Sequence, residues 1–213
     1  VPAVKESYEG NEVISESAHE DALGVHPGRV STKLLSSMTD DALMAYWTSL
    51  MATDDFTMHY AKEFAGLNVL DLGSGLARQT MTFAMAGASV TFVDLAESNL
   101  AALRRLANIM GIQDRTRFVQ LKSMETFRSL PPTHYDVVTA FGSMHHLPSE
   151  WIRTEVAKIA PHLKPGARWL QLAYPVDRWG GKIRFQDFGF LTDGDGTHSV
   201  SFSPDRRFFV DTW

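Results

Sequence analysis

The sequence predicts an α/β fold, a Rossmann-like three-layer sandwich in which helices cover both faces of a mostly parallel sheet. Two observations support this prediction. From Asn68 onward, short apolar strands alternate with helical patterns, which is typical of parallel strands joined by right-handed crossovers. The first strand is followed by a glycine-rich turn at Gly73–Gly75 and then by a helical pattern, and together these three parts form a site for a nucleotide or cofactor.

Composition narrows the class of protein. The chain has 213 residues, of which 44% are apolar, and a formal net charge of −5. This is enough for one sizeable core, and without a basic run we expect no nucleic-acid partner. No apolar run reaches the ~18 residues of a membrane span, so we expect no membrane partner either. Because cysteine is absent, disulfides and cysteine nucleophiles are excluded, and a cytoplasmic location is expected.

The N-terminal part combines a polar segment with one amphipathic helix. Residues 1–30 contain several glycines and prolines, which predict irregular structure. Thr39 is followed by two acidic residues, and this pattern predicts a helix start. Five apolar residues then repeat at helical spacing on one face: Leu43, Tyr46, Trp47, Leu50 and Met51. This helix either covers the core or forms a lid over an active site.

From the glycine turn onward, strands and helices follow in alternation. Strands are predicted at 69–72, 89–94, 117–121, 135–141 and 168–174, and helices at about 76–86, 97–110 and 149–160. Gly111 predicts the end of the second of these helices. Weaker strand patterns occur at Lys182–Phe190 and Arg207–Trp213. Ligands of such a sheet bind at the carboxyl ends of its strands, beside the first strand.

Two acidic residues indicate which ligand the glycine turn binds. Asp71 stands two residues before Gly73, and a carboxylate there suits a ligand with a positively charged end. Arg78 occupies the position where a dinucleotide-binding turn has its third glycine, which argues against a pyrophosphate. Asp94 ends the second strand, about twenty residues further on, where an acid can accept hydrogen bonds from both ribose hydroxyls or can cap the next helix. Leu95, the next residue, is expected to lie against the adenine face of such a ligand.

These motifs resemble those of the class I S-adenosylmethionine-dependent methyltransferases, in particular the small-molecule branch that includes sugar O-methyltransferases of natural-product pathways. The segments that carry the resemblance occur in family order: Gly73–Gly75, Asp94, His145–Pro148 and Leu163–Gly166. The resemblance covers about residues 68–175, with Ala77 in the third glycine position of the family motif. It implies S-adenosylmethionine as cofactor, S-adenosylhomocysteine as product and a small-molecule acceptor. It also implies an antiparallel strand or hairpin at the C-terminus and an N-terminal helical lid, with residues 1–60 as N-terminal segment and 61–213 as methyltransferase domain.

The resemblance also implies the site residues. After the third strand the family often has an acid that binds the adenine amino group, and this sequence has Ser123 there, followed by Met124 and Glu125. The predicted cofactor-binding residues are Asp71, Gly73, Ser74, Gly75, Asp94, Leu95, Ser123, Met124, Glu125 and Phe141. The glycine turn can also be a mere connection between strand and helix, and Glu125 a helix-start acid. No spacing of ligand residues indicates a metal site.

A pair of histidines follows the fourth strand, where the methyl group would be transferred. We expect His145 to be the general base of an O-methylation, because an imidazole titrates near neutral pH. Adjacent side chains diverge, so His146 either packs away from the pocket or lines its acceptor side. Tyr46, Trp47 and Tyr174 are the other predicted acceptor contacts.

Three alternatives to O-methylation remain open from the sequence. The first is an N-methyltransferase that works by proximity, since an amine needs less help from a base. The second is a nicotinamide-dependent dehydrogenase. The third is a non-catalytic module that kept the cofactor fold. If the N-terminal helix is a lid over the acceptor, removal of residues 1–52 should impair acceptor turnover and leave cofactor affinity largely intact.

Overall fold

The computed structural model describes residues 32–51, 55–144, 149–172, 184–186, 197–199 and 209–212. The helices are α1 (Thr32–Ser37), α2 (Asp40–Leu50), α3 (Asp55–Glu63), α4 (Thr80–Met85), α5 (Glu97–Ile109) and α6 (Ser149–Ile159). The strands are β1 (Asn68–Leu72), β2 (Ser89–Asp94), β3 (Thr116–Gln120), β4 (Tyr135–Phe141), β5 (Leu163–Leu172), β6 (Arg184–Gln186), β7 (Thr197–Ser199) and β8 (Phe209–Thr212). Short 3-10 segments lie at Gln113–Arg115, Met124–Ser129 and Ala160–His162.

The main sheet has the strand order β3-β2-β1-β4-β5-β8. The five strands β1 to β5 pair with one another in parallel, which confirms the predicted Rossmann-like α/β class. The short strand β8 pairs antiparallel with β5, and β6 pairs antiparallel with β7 in a separate two-stranded sheet. The chain order reverses beside β1, so the carboxyl ends of β1, β2 and β4 meet at the switch point where such sheets bind ligands.

Apolar side chains fill both faces of the sheet. Residues Val69 to Leu72 of the central strand are all buried, as expected for a strand covered on both sides. One core cluster joins this strand to α4, α5 and the N-terminal helices, to which α1 contributes Leu35 and α2 contributes Leu43 and Trp47. A second cluster lies on the other face, where residues of α6 pack. Helix α2 is therefore continuous with the core.

Local chemistry explains several boundaries. The Thr39 hydroxyl accepts a hydrogen bond from the Ala42 amide, so the predicted start of α2 is confirmed. Helix α5 is followed by a left-handed residue, Gly111 (φ +67°), and the Ile112 amide bonds back to the Ala107 carbonyl at 2.9 Å. This closing pattern favours glycine, as predicted.

Two predicted element starts differ most from the structure. Helix α4 begins at Thr80 and not near residue 76, because the turn continues through Ala77, whose φ of +49° is outside the helical region. Strand β5 begins at Leu163 and not at Arg168, because Leu163 already pairs with Tyr135 before an irregularity in the register. Among the described residues, each helix is too short or too polar to serve as a membrane span.

Candidate functional site

The glycine turn is fixed between the ends of its neighbouring strands. The amides of Gly73 and Ser74 both donate to the Val93 carbonyl of β2, at 2.9 and 3.1 Å. On the other side, the Ser143 hydroxyl after β4 donates to the Leu72 carbonyl at 2.7 Å. A Cβ atom on Gly73 would lie only 2.4 Å from the Cβ of Ser143, and its φ is +65°. This position therefore requires glycine for both shape and space.

The second glycine leaves room above the turn. Gly75 has a φ of +54°, and a Cβ atom placed on it would meet no atom within 4 Å. A ligand can therefore approach the backbone here closely, which is the property that a cofactor-binding turn needs. Ala77, in the third glycine position, also adopts a left-handed φ of +49° and is 4% exposed. The alanine thus keeps the backbone shape of the family motif, with steric strain that a glycine would not have.

Asp94 connects the turn to the next helix. Its Oδ2 accepts from the Gly75 amide at 2.6 Å. Its Oδ1 accepts from the Ala96 amide at 2.8 Å and from the Asn99 side chain at 3.2 Å. The carboxylate is 5% exposed, and these three bonds tie the glycine turn to the residues at the start of α5. A carboxylate has about four lone-pair sites, so three bonds leave capacity for a ribose hydroxyl.

Asp71 lies beneath the turn, on the central strand. Its side chain is 3% exposed, and its oxygens accept from the hydroxyls of Thr139 at 2.7 Å and Thr80 at 2.9 Å. Burial raises the pKa of Asp71 from 3.8 to about 6 against the opposing effect of these hydrogen bonds, and the charge of nearby Asp94 adds to the rise. Such a carboxyl favours the arrival of a positive charge, which would lower its pKa again.

The segment after β3 is built differently from the prediction. Ser123 caps the 3-10 turn Met124–Ser129 in a reciprocal capping box with Thr126, and Met124 is 7% exposed in the core. Glu125 forms ion pairs with Lys158 of α6 at 2.8 Å and with Arg128 at 2.6 Å. The hydrogen bond from Lys158 is the main reason that the pKa of Glu125 is lowered. The alternative that Glu125 is an acid at a helix start fits its place in the first turn of this segment, and two cations already engage its carboxylate.

Aromatic side chains gather at the carboxyl end of β4. Phe141, its last residue, packs edge-on against Phe56 of α3 at a centroid distance of 5.9 Å. Phe56 in turn meets Tyr60 at 4.8 Å. All three rings are half-buried, so part of each remains accessible. This cluster lies beside the turn, since Phe141 is two residues from Ser143, which bonds to the end of β1.

Helix α2 reaches the turn through Trp47. The indole is 1% exposed, and its Nε1–H donates to the Leu76 carbonyl at 3.0 Å. The prediction that Trp47 contacts the acceptor is therefore wrong, because the ring is enclosed in the core and its one polar group is used. Tyr46, on the same helix, is half-buried and stays a candidate.

Several predicted residues lie outside the described part of the chain. These are His145, His146 and Tyr174. Leu95 is half-buried beside the second core cluster. Within the described residues, no group of three or more acidic or histidine side chains is placed to hold a metal ion. Sequence reasoning missed the side chains that hydrogen-bond to Asp71 and Asp94, which are Thr80, Thr139 and Asn99. A polar threonine within the apolar strand β4 is the sequence signal that could have indicated one of them.

Comparison with known proteins identifies the domain. Residues 69–166 match the family described as "Methyltransferase domain". This chain contains a class I S-adenosylmethionine-dependent methyltransferase domain. S-adenosylmethionine is the cofactor of such domains, as the resemblance implied, and the open space over Gly75 fits a ligand at that turn. The matched residues contain the turn, both acids and the end of β4.

Relatives of the methyltransferase domain include two curated bacterial enzymes. A ubiquinone biosynthesis O-methyltransferase from Bordetella parapertussis is 32% identical over 111 residues, which cover 52% of this chain and 43% of that protein. A 27-O-demethylrifamycin SV methyltransferase from Amycolatopsis mediterranei is 28% identical over 133 residues, covering 58% of this chain and 47% of that protein. The chain thus spans about half the length of these relatives. One similar solved structure is described as "Conversion of a Disulfide Bond into a Thioacetal Group during Echinomycin Biosynthesis". Its TM-score is 0.50 and its identity is 20%, and the match covers 57% of this chain and 49% of that chain. This similarity supports the fold.

Proposed function

We propose that the methyltransferase domain transfers a methyl group from S-adenosylmethionine to a hydroxyl of a small-molecule acceptor. The observation that carries the proposal is the turn itself, where Gly75 leaves open space and bonds to the buried Asp94. The two curated relatives support a hydroxyl acceptor, because the name of each describes an O-methylation. Both names denote small organic acceptors, one of them a natural product.

The chain's own residues would hold the cofactor as follows. Asp94 would accept hydrogen bonds from the ribose through its unused lone pairs, while the open backbone at Gly75 lies against the ligand. Asp71, buried beneath the turn, would interact with the cationic end. Leu95 would lie against the adenine, with Ser123 and Met124 contributing at most through their backbone groups.

The acceptor side would be formed by the aromatic cluster at the end of β4, by Tyr46 of α2 and by the histidines that follow. When bound, the cofactor would supply a sulfonium methyl group for transfer to the acceptor oxygen, with S-adenosylhomocysteine as the product. His145 would take the hydroxyl proton, a role that typically contributes about 10²–10⁴-fold in rate. His146 would serve packing or line the acceptor side, with Tyr174 beyond it. Residues 1–60 would form an N-terminal segment with α2 over the site, and 61–213 the methyltransferase domain.

Cofactor placement is tested by two matched glycine variants. Gly75→Ala and Gly111→Ala both put a methyl group on a left-handed residue with open space around it, at φ +54° and +67°. They should cost similar stability, about 1–2 kcal/mol each. Only Gly75→Ala should weaken S-adenosylhomocysteine binding in calorimetry. Equal affinity in both variants would remove the turn from the binding site.

The reaction is tested with methyl-labelled S-adenosylmethionine and a panel of hydroxyl and amine acceptors. His145→Ala should lower kcat on the true acceptor and leave cofactor affinity nearly unchanged, while His146→Ala serves as the neighbouring control. The variant should also lose the acidic limb of the pH–rate profile. Normal kcat in His145→Ala would place the base elsewhere, with Tyr174 next in line. Transfer to amines alone would favour N-methylation by proximity.

A further inference from the structure

Helix α2 and the glycine turn are joined by two side-chain hydrogen bonds that run in opposite directions. Trp47 of α2 donates its indole N–H to the Leu76 carbonyl of the turn at 3.0 Å. Arg78, two residues later in the turn, donates its Nε–H to the carbonyl of Leu50, the last residue of α2. That carbonyl is among those at a helix C-terminus that have no partner within the helix, and it carries partial negative charge.

The two bonds enclose the strained residue of the turn. Ala77 stands between Leu76 and Arg78 and has a φ of +49°, a region that residues with a side chain rarely adopt. Its methyl group is buried in the same core cluster as Trp47. The unfavourable backbone conformation therefore persists because its surroundings hold it on both sides.

Helix α2 is itself anchored to α5, the helix whose N-terminal part Asp94 contacts. Arg105 of α5 donates to Asp40 at 2.6 Å and to the Met38 carbonyl at 2.8 Å, at the start of α2. The far end of α2 meets the turn, and Asp94 joins the turn to the start of α5. These contacts form a closed ring of α2, turn, Asp94 and α5, so displacement of α2 removes one side of the support around Ala77.

We propose that Trp47 and Arg78 are positioning residues that hold the glycine turn in its cofactor-binding shape, which makes α2 part of the cofactor site. The inference rests on the proposed placement of the cofactor at this turn. It reverses the expectation from the sequence that an N-terminal helix acts on the acceptor alone. Without the two bonds, a smaller fraction of molecules has the binding-competent turn, and the apparent affinity falls by that fraction.

The first test compares single variants by calorimetry with S-adenosylhomocysteine. Trp47→Phe keeps an aromatic ring and removes the N–H, and it should weaken binding about tenfold. Arg78→Gln, at an exposed side chain, should weaken binding about threefold with little change in Tm, since a surface bond contributes less. Ser49→Ala is the matched control: it removes a hydroxyl that bonds to the Tyr46 carbonyl within α2, and affinity should not change.

The second test asks whether the effect passes through Ala77. Glycine adopts a left-handed φ without strain, so Ala77→Gly should make the turn less dependent on α2. In the Ala77→Gly background, Trp47→Phe should weaken binding only about twofold, compared with about tenfold in the parent. A role of Trp47 in core stability alone would lower Tm in both backgrounds and produce no such difference in affinity.

The outcomes separate this inference from the proposed function. If the parent chain binds no S-adenosylhomocysteine, the proposed cofactor placement fails. If the parent binds and folded Trp47→Phe and Arg78→Gln bind equally well, the positioning role is wrong. The role is also wrong if Ala77→Gly leaves the effect of Trp47→Phe undiminished. If Trp47→Phe does not fold, Arg78→Gln is compared in the parent and Ala77→Gly backgrounds instead. A loss of affinity in the parent that disappears in the Ala77→Gly background supports the positioning role.

Discussion

Replacement of Asp71 by asparagine should stabilise the cofactor-free protein above neutral pH. The carboxyl lies on the central strand, 3% exposed, with hydroxyls of Thr80 and Thr139 as its hydrogen-bond donors. Burial raises its pKa from 3.8 to about 6. At pH 8 the folded protein therefore carries an ionised carboxylate in a site that disfavours it. An asparagine of nearly the same shape removes that charge, and the threonine hydroxyls can donate to its oxygen and accept from its amide.

The size of the effect follows from the shift. A rise from 3.8 to about 6 is roughly two pKa units, which corresponds to about 3 kcal/mol at about 1.4 kcal/mol per unit. Because the folded pKa is raised, the contribution of Asp71 to stability is complete below about pH 4 and is lost as pH rises through about 6. Allowing for imperfect hydrogen bonds to the amide, Asp71→Asn should gain about 1–3 kcal/mol at pH 8 and nothing below pH 4.

Chemical unfolding at pH 4, 6 and 8 measures this difference. Asp136→Asn is a control whose stability change at pH 8 should have the opposite sign. Burial raises the pKa of Asp136 too, but hydrogen bonds from Lys164 and the Asn68 amide outweigh it and hold that pKa below its usual value. That variant should lose stability at pH 8. If Asp71→Asn is less stable than the parent at pH 8, the carboxylate is well stabilised when ionised and the argument from burial is refuted. S-adenosylmethionine binding by Asp71→Asn should weaken, since its positive charge loses a partner.

Three further predictions concern other residues. Gly73→Ala should cost roughly 2–4 kcal/mol, from left-handed strain plus the overlap with Ser143, measured by unfolding against Gly111→Ala, which has the strain alone. Glu155→Gln should raise Tm at pH 8 and not at pH 4. Burial raises the pKa of Glu155 to about 7, so the stability of the parent falls as pH rises through that value. An equal gain in Tm at pH 4 and pH 8 would contradict this. Asp94→Ala should weaken S-adenosylhomocysteine binding by about 1.5–3 kcal/mol in calorimetry, and an unchanged affinity would exclude Asp94 from the site.

Local patterns predicted most of the sheet. Strands β2 and β4 occur at the predicted residues 89–94 and 135–141, because each is an apolar run bounded by turn residues. The start of α2 at Thr39 followed from capping chemistry, which is also local. Helix α4 was predicted too long, since periodicity does not reveal that Ala77 takes a left-handed conformation.

Contacts between distant residues were not visible in the sequence. Periodicity placed Trp47 on an apolar face but could not show that its N–H meets Leu76, 29 residues away. Position after β3 suggested Ser123 or Met124 as the adenine contact and Glu125 as a cofactor contact or a helix-start acid. It could not show that Glu125 pairs with Lys158, 33 residues further along the chain. Thr139 reaches Asp71 only because β4 pairs beside β1 with these two residues in register. The partners of charged groups depend on strand order and register, which single-sequence patterns do not specify.

Calorimetric titration of the parent chain with S-adenosylhomocysteine and, separately, with NAD tests the central claim most directly. The claim is that the turn after β1, with its open Gly75 and the two buried acids beside it, binds the sulfur cofactor. We predict saturable binding of S-adenosylhomocysteine at a single site and no binding of NAD. Saturable binding of NAD without binding of S-adenosylhomocysteine would contradict the account.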